Sequence, residues 1–338
     1  MLESRAMTRR RAAARVLVFG DINVDVVARV RKLPRPGEDC LSARLELHGG
    51  GVAANTAVAL ARWGLDAELL GCIGDDGFGE HVTGWLRRER VNVSRVRKTA
   101  RHMTGLMYIT VTPDGQRTIF GSRGANTQAP RPLVRAGTAA VHLVGYSFLA
   151  AATAKAARHL LAEARRRRAR VSLDVGLTPA QQIRETILQV VPKVDILFVG
   201  FDEAKALTRQ TSVAACFDAL AKLSPAETVM KLGKDGCAFR AGRAARRVPG
   251  FRVAAVDTTG AGDAFDAAYL RARLAGWPQE EACLVANAAG AVAASALAAG
   301  ESMPRPNAVL RLLRSSGLGS EWDTARRRIA ARLQKELQ

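Results

Sequence analysis

Apolar residues fall into short unbroken runs and longer stretches with helical spacing, and the two alternate along the chain. The first run, VLVF at 16–19, is too short for a helix and lacks polar alternation, so it reads as a strand buried on both faces, ending at Gly20. Residues 23–30 and 41–47 alternate apolar with polar instead, and a Pro/Gly turn at 33–39 separates them. Three glycines, Gly49, Gly50 and Gly51, close the second of these segments. VAANTAVALARW carries apolar residues at helical spacing and stops at Gly64. A strand and loop at 67–79 and a helix at 80–91 follow. Two more alternating arms, 106–112 and 117–120, flank a turn at 113–116 and predict a hairpin.

From Ala140 the rhythm is regular. Strands are predicted at 141–145, 170–175, 195–200 and 227–233, with helices at 149–167, 178–194, 202–210 and 212–223 between them. A hairpin is predicted over 237–251, a helix from the turn DTTGAGD at 257–263 to about 273, and another over 280–300. Strands separated by helices of this length predict an α/β fold with a doubly wound, mostly parallel sheet. The alternating pieces at about 23–47 and 104–122 read as a small separate β-sheet, a lid. Ligands on such sheets lie beyond the C-terminal strand ends, where Asp21, Gly200, Gly233 and the Asp257 turn would gather. The predicted organisation is a basic tail at 1–15, a main domain at 16–310 and a helical tail at 311–338.

Composition adds boundaries. A chain of 338 residues, 48% apolar, has enough material for one large domain with insertions or two smaller ones. No apolar run has membrane character, and the basic start leads directly into the first strand; Met7 is an alternative start to Met1. Five scattered cysteines without metal or redox spacing fit a reduced, cytoplasmic protein. The formal charge of +20 raises the question of nucleic acid. The arginines are dispersed, however, and the clusters at 9–11, 165–168 and 326–328 lack interleaved aromatics, which favours a solvated basic surface.

Several positions carry candidate chemistry. In DTTGAGD the glycines allow close backbone approach, and the first-turn N–H groups of Ala261, Gly262 and Asp263 form an anion nest. Asp263 reads as a general base taking a proton from an alcohol that attacks phosphorus; a helix cap is the plainer reading. In HGGGVAAN, Gly50, Gly51 and Asn55 suit a polyhydroxylated ligand or a capped loop, and Asp21 and Asp25 of GDINVD suit vicinal hydroxyls or a turn. Glu203, at a helix start, is placed for water on magnesium or for the helix dipole. Lys231, Gly233 and Gly236 of KLGKDG suit nucleotide phosphate or a plain turn. A GxxxxGK[ST] loop is absent, so a nucleotide must use the helix-start nest. His48, His102 and His142 lack zinc-ligand spacing.

Together these motifs resemble the ribokinase-like (PfkB-type) carbohydrate kinase family over roughly residues 16–305. GGGVAANTAVALARWG is similar to its N-terminal signature and DTTGAGDAFDAAYL to its C-terminal one. The resemblance implies an eight- or nine-stranded α/β domain with a β lid, and ATP-dependent phosphorylation of a sugar or nucleoside hydroxyl. Magnesium is implied as well and, in many members, potassium. It places Asp263 as base, Gly260, Ala261 and Gly262 as anion hole, and Asp25, Gly50, Gly51 and Asn55 on the substrate. It sets Lys231 to Gly236 against nucleotide phosphate or ribose and Asn287 beside adenine. Asp257 and Thr259, with residues 299–302, fall where the family holds potassium. One departure stands out: the family has asparagine, two residues, then glutamate where this chain has GFDE, so Gly200 replaces the asparagine while Glu203 remains. Asp202 is the nearest side chain to compensate. The favoured substrate is a free sugar such as ribose or fructose, with Arg123 and Asn126 near it or in a turn. The alternatives are a nucleoside kinase, with a base slot built from Tyr108, Phe120 and Tyr146, and a non-catalytic sugar or nucleotide sensor. Apolar positions on the lid strands predict a homodimer formed through the lid.

Overall fold

Alternate residues of the first strand, β1 (Arg15–Phe19), feed two different cores: Val16 and Val18 pack into one apolar cluster, Leu17 and Phe19 into another. Both faces are covered, which is why the sequence there is apolar without alternation. The computed structural model describes residues 13–41, 44–113, 117–223, 225–241, 244–296 and 300–338. Both candidate start methionines, the 9–11 arginine cluster, the hairpin turn at 114–116 and Ala299 lie outside the described residues.

After β1 come β2 (Asn23–Arg29), β3 (Arg44–Gly50) and α1 (Val52–Arg62), closed by Gly64 in the left-handed region at φ 81°. β4 (Asp66–Gly74), α2 (Gly77–Arg88) and β5 (Asn92–Thr99) follow, with Asp76 capping α2 by accepting from the Gly79 N–H at 2.7 Å. β6 (Gly105–Val111) and β7 (Arg117–Ser122) are the predicted hairpin arms. The regular part comprises β8 (Thr138–Val144), α3 (Ala151–Arg166), β9 (Arg170–Asp174), α4 (Leu177–Gln182) and α5 (Arg184–Val190). It continues through β10 (Ile196–Gly200), α6 (Phe201–Thr208), α7 (Val213–Ala221) and β11 (Glu227–Lys231). The hairpin β12 (Cys237–Ala241) and β13 (Ala244–Val248) precedes α8 (Ala261–Leu274), α9 (Gln279–Ala294), α10 (Pro306–Ser315) and α11 (Ser320–Leu337).

The main sheet has nine strands in the order β13-β12-β11-β10-β9-β8-β1-β4-β5. It is parallel except at β12, which runs antiparallel to both neighbours. A second sheet, β3-β2-β6-β7, is the predicted lid, with β2 and β6 parallel and the outer pairs antiparallel. β2 continues from β1 after three residues, so the lid is tied to the centre of the main sheet.

The structure differs from the sequence reading in several places: β5 (Asn92–Thr99) is a strand absent from that reading, and the helix expected over 280–300 ends at Ala294. The helix predicted over 178–194 is broken at Ile183, where φ −130° and ψ 37° leave the helical region, although Ile187 and Val190 still bury their side chains. At the C-terminus, α10 runs across the boundary expected at 310/311. Val309 and Leu313 of α10 and Trp322, Ile329 and Leu333 of α11 join the same cluster as α9, so these helices are packed on the core. Among the described residues no helix is long and apolar enough to cross a membrane.

Candidate active site

α8 starts at Gly260, which sits in the left-handed region at φ 78°; the N–H groups of the first helical turn lack acceptors within the helix, and that of Ala261 donates back to the Thr258 carbonyl at 3.3 Å. Asp263 follows inside that turn and is buried. Its carboxylate accepts from the Asn55 side-chain amide at 2.9 Å. Burial pushes the Asp263 carboxyl up to about 7; the Asn55 hydrogen bond works against that, and the nearby Asp174 carboxylate reinforces it. A group with that pKa is poised to exchange a proton near neutrality.

Asn55 reaches Asp263 because α1 begins at the three-glycine strand end. Gly51 has φ 97°, and a side-chain carbon there would lie 2.4 Å from the Asp21 carbonyl oxygen. A carbon on Gly50 would stand 2.3 to 2.5 Å from the carboxylate of Asp25. Glycine therefore lets β3 close onto Asp25, which lies opposite His48 in the β2–β3 register. Among the described residues the Asp25 carboxylate has no hydrogen-bond partner, and burial raises it to about 7, with His48 opposing the shift. The Asn55 Oδ1 atom is also buried and without a partner.

Asp21 is differently placed. Arg123 grips both its oxygens, Nε to Oδ2 at 2.9 Å and a terminal nitrogen to Oδ1 at 2.7 Å. Asn126 spends its amide on the β1–β2 connection, accepting from the Ile22 N–H at 2.8 Å and donating to Asn23 Oδ1 at 2.7 Å. The rings of Tyr108 and Phe120 lie 5.0 Å apart, tilted by 34°, in register with Val26, one pleat away from Asp25 and therefore on the opposite face of the lid. They form no aromatic slot beside Asp25. Tyr146 packs behind Gly176 instead, where a side-chain carbon would meet its ring at 2.7 Å.

Beside the start of α8 a cleft of about 800 Å³ is lined by Lys231, Gly233, Gly236, Arg252, Gly262 and Asn287. Gly236, at φ 89°, leaves no room for a side chain, since a carbon there would lie 2.2 Å from the Val248 carbonyl oxygen. Asn287 donates to the carbonyls of Val248 and Pro249 at 3.1 and 3.0 Å and fixes α9 to the end of β13. Glu203 turns back on its own helix, accepting from the Gly200 N–H at 2.7 Å; burial raises its carboxyl, Asp174 adds to the rise and Lys231 opposes it. Asp202 is exposed and pairs with Lys205 at 2.6 Å, so it does not fill in for the side chain missing at Gly200. Asp257 accepts from the Thr259 N–H and hydroxyl at 2.9 and 2.7 Å, closing the turn ahead of α8. The run before it is held by the Ala294 carbonyl, which accepts from the Val256 and Asp257 N–H groups at 2.8 and 3.3 Å.

The structure thus brings Asp25, Gly50, Gly51, Asn55 and Asp263 together, and Lys231, Gly233, Gly236 and Asn287 along the adjoining cleft. Two acids at the site escaped the sequence reading, Asp174 and Asp266, both bonded to Lys231. Asp266 stands three residues after Asp263 on one helical face, and Asp174 ends a central parallel strand; both spacings were available as signals.

The sequence model of the pfkB family carbohydrate kinases matches residues 13–306 of this chain. The chain belongs to that family. A ribokinase of Haemophilus influenzae is 28% identical over 303 residues, spanning 88% of this chain and 97% of its own length. An ATP-dependent ribose-1-phosphate kinase of Halopiger xanaduensis is 31% identical, over 88% of this chain and 98% of the relative. The structure of Arabidopsis thaliana ribokinase complexed with ribose and ATP superposes with a TM-score of 0.77 and 25% identity, covering 90% of this chain and all of that one. The large sheet flanked by helices and the smaller second sheet match the architecture of that neighbour.

Proposed function

We propose that this chain transfers the γ-phosphoryl group of ATP to a hydroxyl of a small neutral sugar of the ribose or fructose type. Asp263 takes the hydroxyl proton as the sugar oxygen bonds to phosphorus; the bond from phosphorus to the β–γ bridging oxygen breaks and ADP leaves. The N–H groups of the Gly260–Gly262 turn meet the charge on the transferring group. Asp25 holds the sugar, with Gly50 and Gly51 lending backbone contact and Asn55 steadying the base. Asp21, held by Arg123, shapes the same wall. The carrying observation is the Asp263 carboxyl, held by Asn55 at 2.9 Å and raised to about 7 inside the first turn of α8.

Neutrality of the sugar follows from charge. Asp25 and Asp263 both face the substrate side, and the Arg123 guanidinium is already matched by Asp21. Two carboxylates on the substrate side, wherever they are ionised, favour a neutral sugar over an anionic one.

ATP fits the cleft beside Lys231, with Gly233 and Gly236 against phosphate and ribose and Asn287 beside the base. Among the described residues no three acids, histidines or cysteines converge as a metal cage. That suits magnesium, an ion commonly held by one or two carboxylates and substrate phosphates. Glu203 is the carboxylate for it, and magnesium would neutralise phosphate charge there. Asp257 and Thr259, with residues 300–302, are the position for potassium.

Many arginines pair with acids, some in partly buried pairs such as Arg62 with Glu89 and Arg273 with Glu227 and some at the surface such as Arg328 with Glu281, which leaves those charges matched within the chain and favours this reading over a nucleic-acid face. The cysteines are unpaired, as suits the cytoplasm. Leu45, Leu47 and Phe120 leave an apolar face of the lid exposed, and a second copy of the chain is its partner in this reading.

The experiment is coupled ADP release with magnesium, ATP and potassium against a panel of sugars, sugar acids and nucleosides. Turnover of a neutral sugar that is lost in Asp263→Asn supports the reading; turnover that survives the substitution removes Asp263 as the base.

A further inference from the structure

At the inner end of the nucleotide cleft a single ammonium stands among carboxylates. Lys231, the last residue of β11, places Nζ 2.7 Å from Asp174 Oδ1 at the end of β9, and 3.3 and 3.4 Å from the two carboxylate oxygens of Asp266 on α8. Asp266 is 1% exposed and Asp174 10% at the side chain. Burial works against the lysine charge, but Asp174, Asp266 and Glu203 outweigh it and hold the ammonium above its ordinary range.

An ion pair placed in the interior adds little stability, because desolvation cancels most of its attraction. Two acids converge on one base, and burial, with Asp174 and Asp263 adding to it, raises the Asp266 carboxyl well above the usual carboxylate range; the arrangement makes a poor core and a rigid clamp. Two acceptors use two of the three N–H donors of an ammonium. The third remains for a ligand, and the surroundings identify that ligand's place. A side-chain carbon on Gly262 would lie 3.3 Å from Nζ, so the ammonium stands beside the turn that forms the anion nest. Lys231 and Gly262 line the same cleft. Nearby, α6 begins without a side chain at Gly200, and Asp202 points away to Lys205.

We propose that Asp174 and Asp266 are positioning residues that fix Lys231, and that Lys231 donates its remaining hydrogen bond to the γ-phosphoryl group of ATP. Lys231 stays protonated throughout: the sugar proton goes to Asp263, and the electron pair of the broken phosphorus–oxygen bond goes to ADP. A fixed protein charge thereby does part of the work that a polar side chain at position 200 would do through bound metal. This inference deepens the kinase reading and rests on it for what the cleft holds.

The test uses the full chain with Lys231→Met, Asp266→Asn and the double variant. The double variant removes the lysine charge together with that of the more deeply buried acid, Asp266, and leaves Asp174, 10% exposed at the side chain, as the one acid without its cation; a thermal melt of each variant shows that it is folded before binding is compared. Calorimetry with magnesium compares ADP with the β,γ-methylene analogue of ATP. The double variant is expected to weaken the analogue about tenfold or more, as loss of a charge-assisted contact requires, and ADP by less than about twofold. Turnover is expected to fall about 10²-fold in Lys231→Met and no further in the double variant. Asp266→Asn alone should lower kcat about tenfold while the sugar KM stays within about twofold. Equal, wild-type affinities for both nucleotides, or recovery of turnover in the double variant, overturn the proposal and leave the pair as packing. Should the wild-type chain phosphorylate no sugar while the variants still separate analogue from ADP, the kinase reading fails and the lysine contact stands.

Discussion

The amide nitrogen of Asn55 donates to Asp263 Oδ2 at 2.9 Å, joining the first turns of two helices 208 residues apart in sequence. That bond settles which carboxylate oxygen is left for substrate, and it holds the Asp263 pKa below the value that burial alone would give. Asn55→Ala is therefore expected to raise the pKa of the base. The acid limb of kcat should move to higher pH by about one unit, and turnover at pH 7 should fall about tenfold. Initial rates from pH 5.5 to 9 check this; an unmoved limb would show that Asn55 does not tune the base.

In the unaltered protein, Asp25 and Asp263 both stand near 7. kcat/KM reports groups of the free enzyme, and both acids work ionised, so it should rise with pH through about 7 with a limiting slope near two on a logarithmic plot. A slope of one would leave a single essential acid, and activity level down to pH 5 would contradict both.

The same shift has a stability side. A carboxyl raised from 3.8 to about 7 on folding favours the folded state while protonated, and this contribution is lost as pH rises between those values. At pH 8 Asp25 carries its full desolvation cost. Asp25→Asn should stabilise the fold by roughly 2–4 kcal/mol at pH 8 and by much less at pH 4, while sugar binding weakens. Thermal melts at the two pH values, with sugar titration, check both parts; a pH-independent change in Tm would point to packing instead.

Gly50→Ala places a carbon 2.3 to 2.5 Å from the Asp25 carboxylate and must displace it or the strand. The expected outcome is a sugar KM raised about tenfold or more with nucleotide affinity unchanged. Equal losses for both ligands would indicate a wider collapse of the lid.

On the outward face of the lid, Leu47 and Phe120 are 45% and 59% exposed. Leu47→Glu with Phe120→Glu should convert a dimer to a monomer in light scattering at micromolar concentration, since a buried carboxylate in an apolar interface is costly. A monomer before any substitution would remove the lid interface.

Much of the framework was legible from periodicity, because β1 is apolar on both faces and the lid strands alternate. DTTGAGD marked its own turn through Gly260, whose left-handed backbone is a local requirement. What escaped was contact across distance. The Asp21–Arg123 pair spans 102 residues and commits to a salt bridge an acid that local pattern offers as a hydroxyl clamp. Asp174 and Asp266 gain meaning from Lys231, which chain folding alone brings to them. The direction of Asp202 depends on Lys205, one helical turn on, and the break at Ile183 interrupts a pattern whose apolar spacing carries on through it.

In the proposed reading, Asp25, which would hold the sugar, rides on a lid strand, whereas Asp263, which would be the base, rides on a helix of the main domain. The lid meets the main domain at several crossings, among them the three residues between β1 and β2 and the single residue Gly51 between β3 and α1. ATP held in the cleft without sugar meets the base but lacks the hydroxyl that the lid delivers, and a water molecule in that place has no grip from Asp25. Under that reading, splitting the pair between lid and core would guard the nucleotide against wasteful hydrolysis.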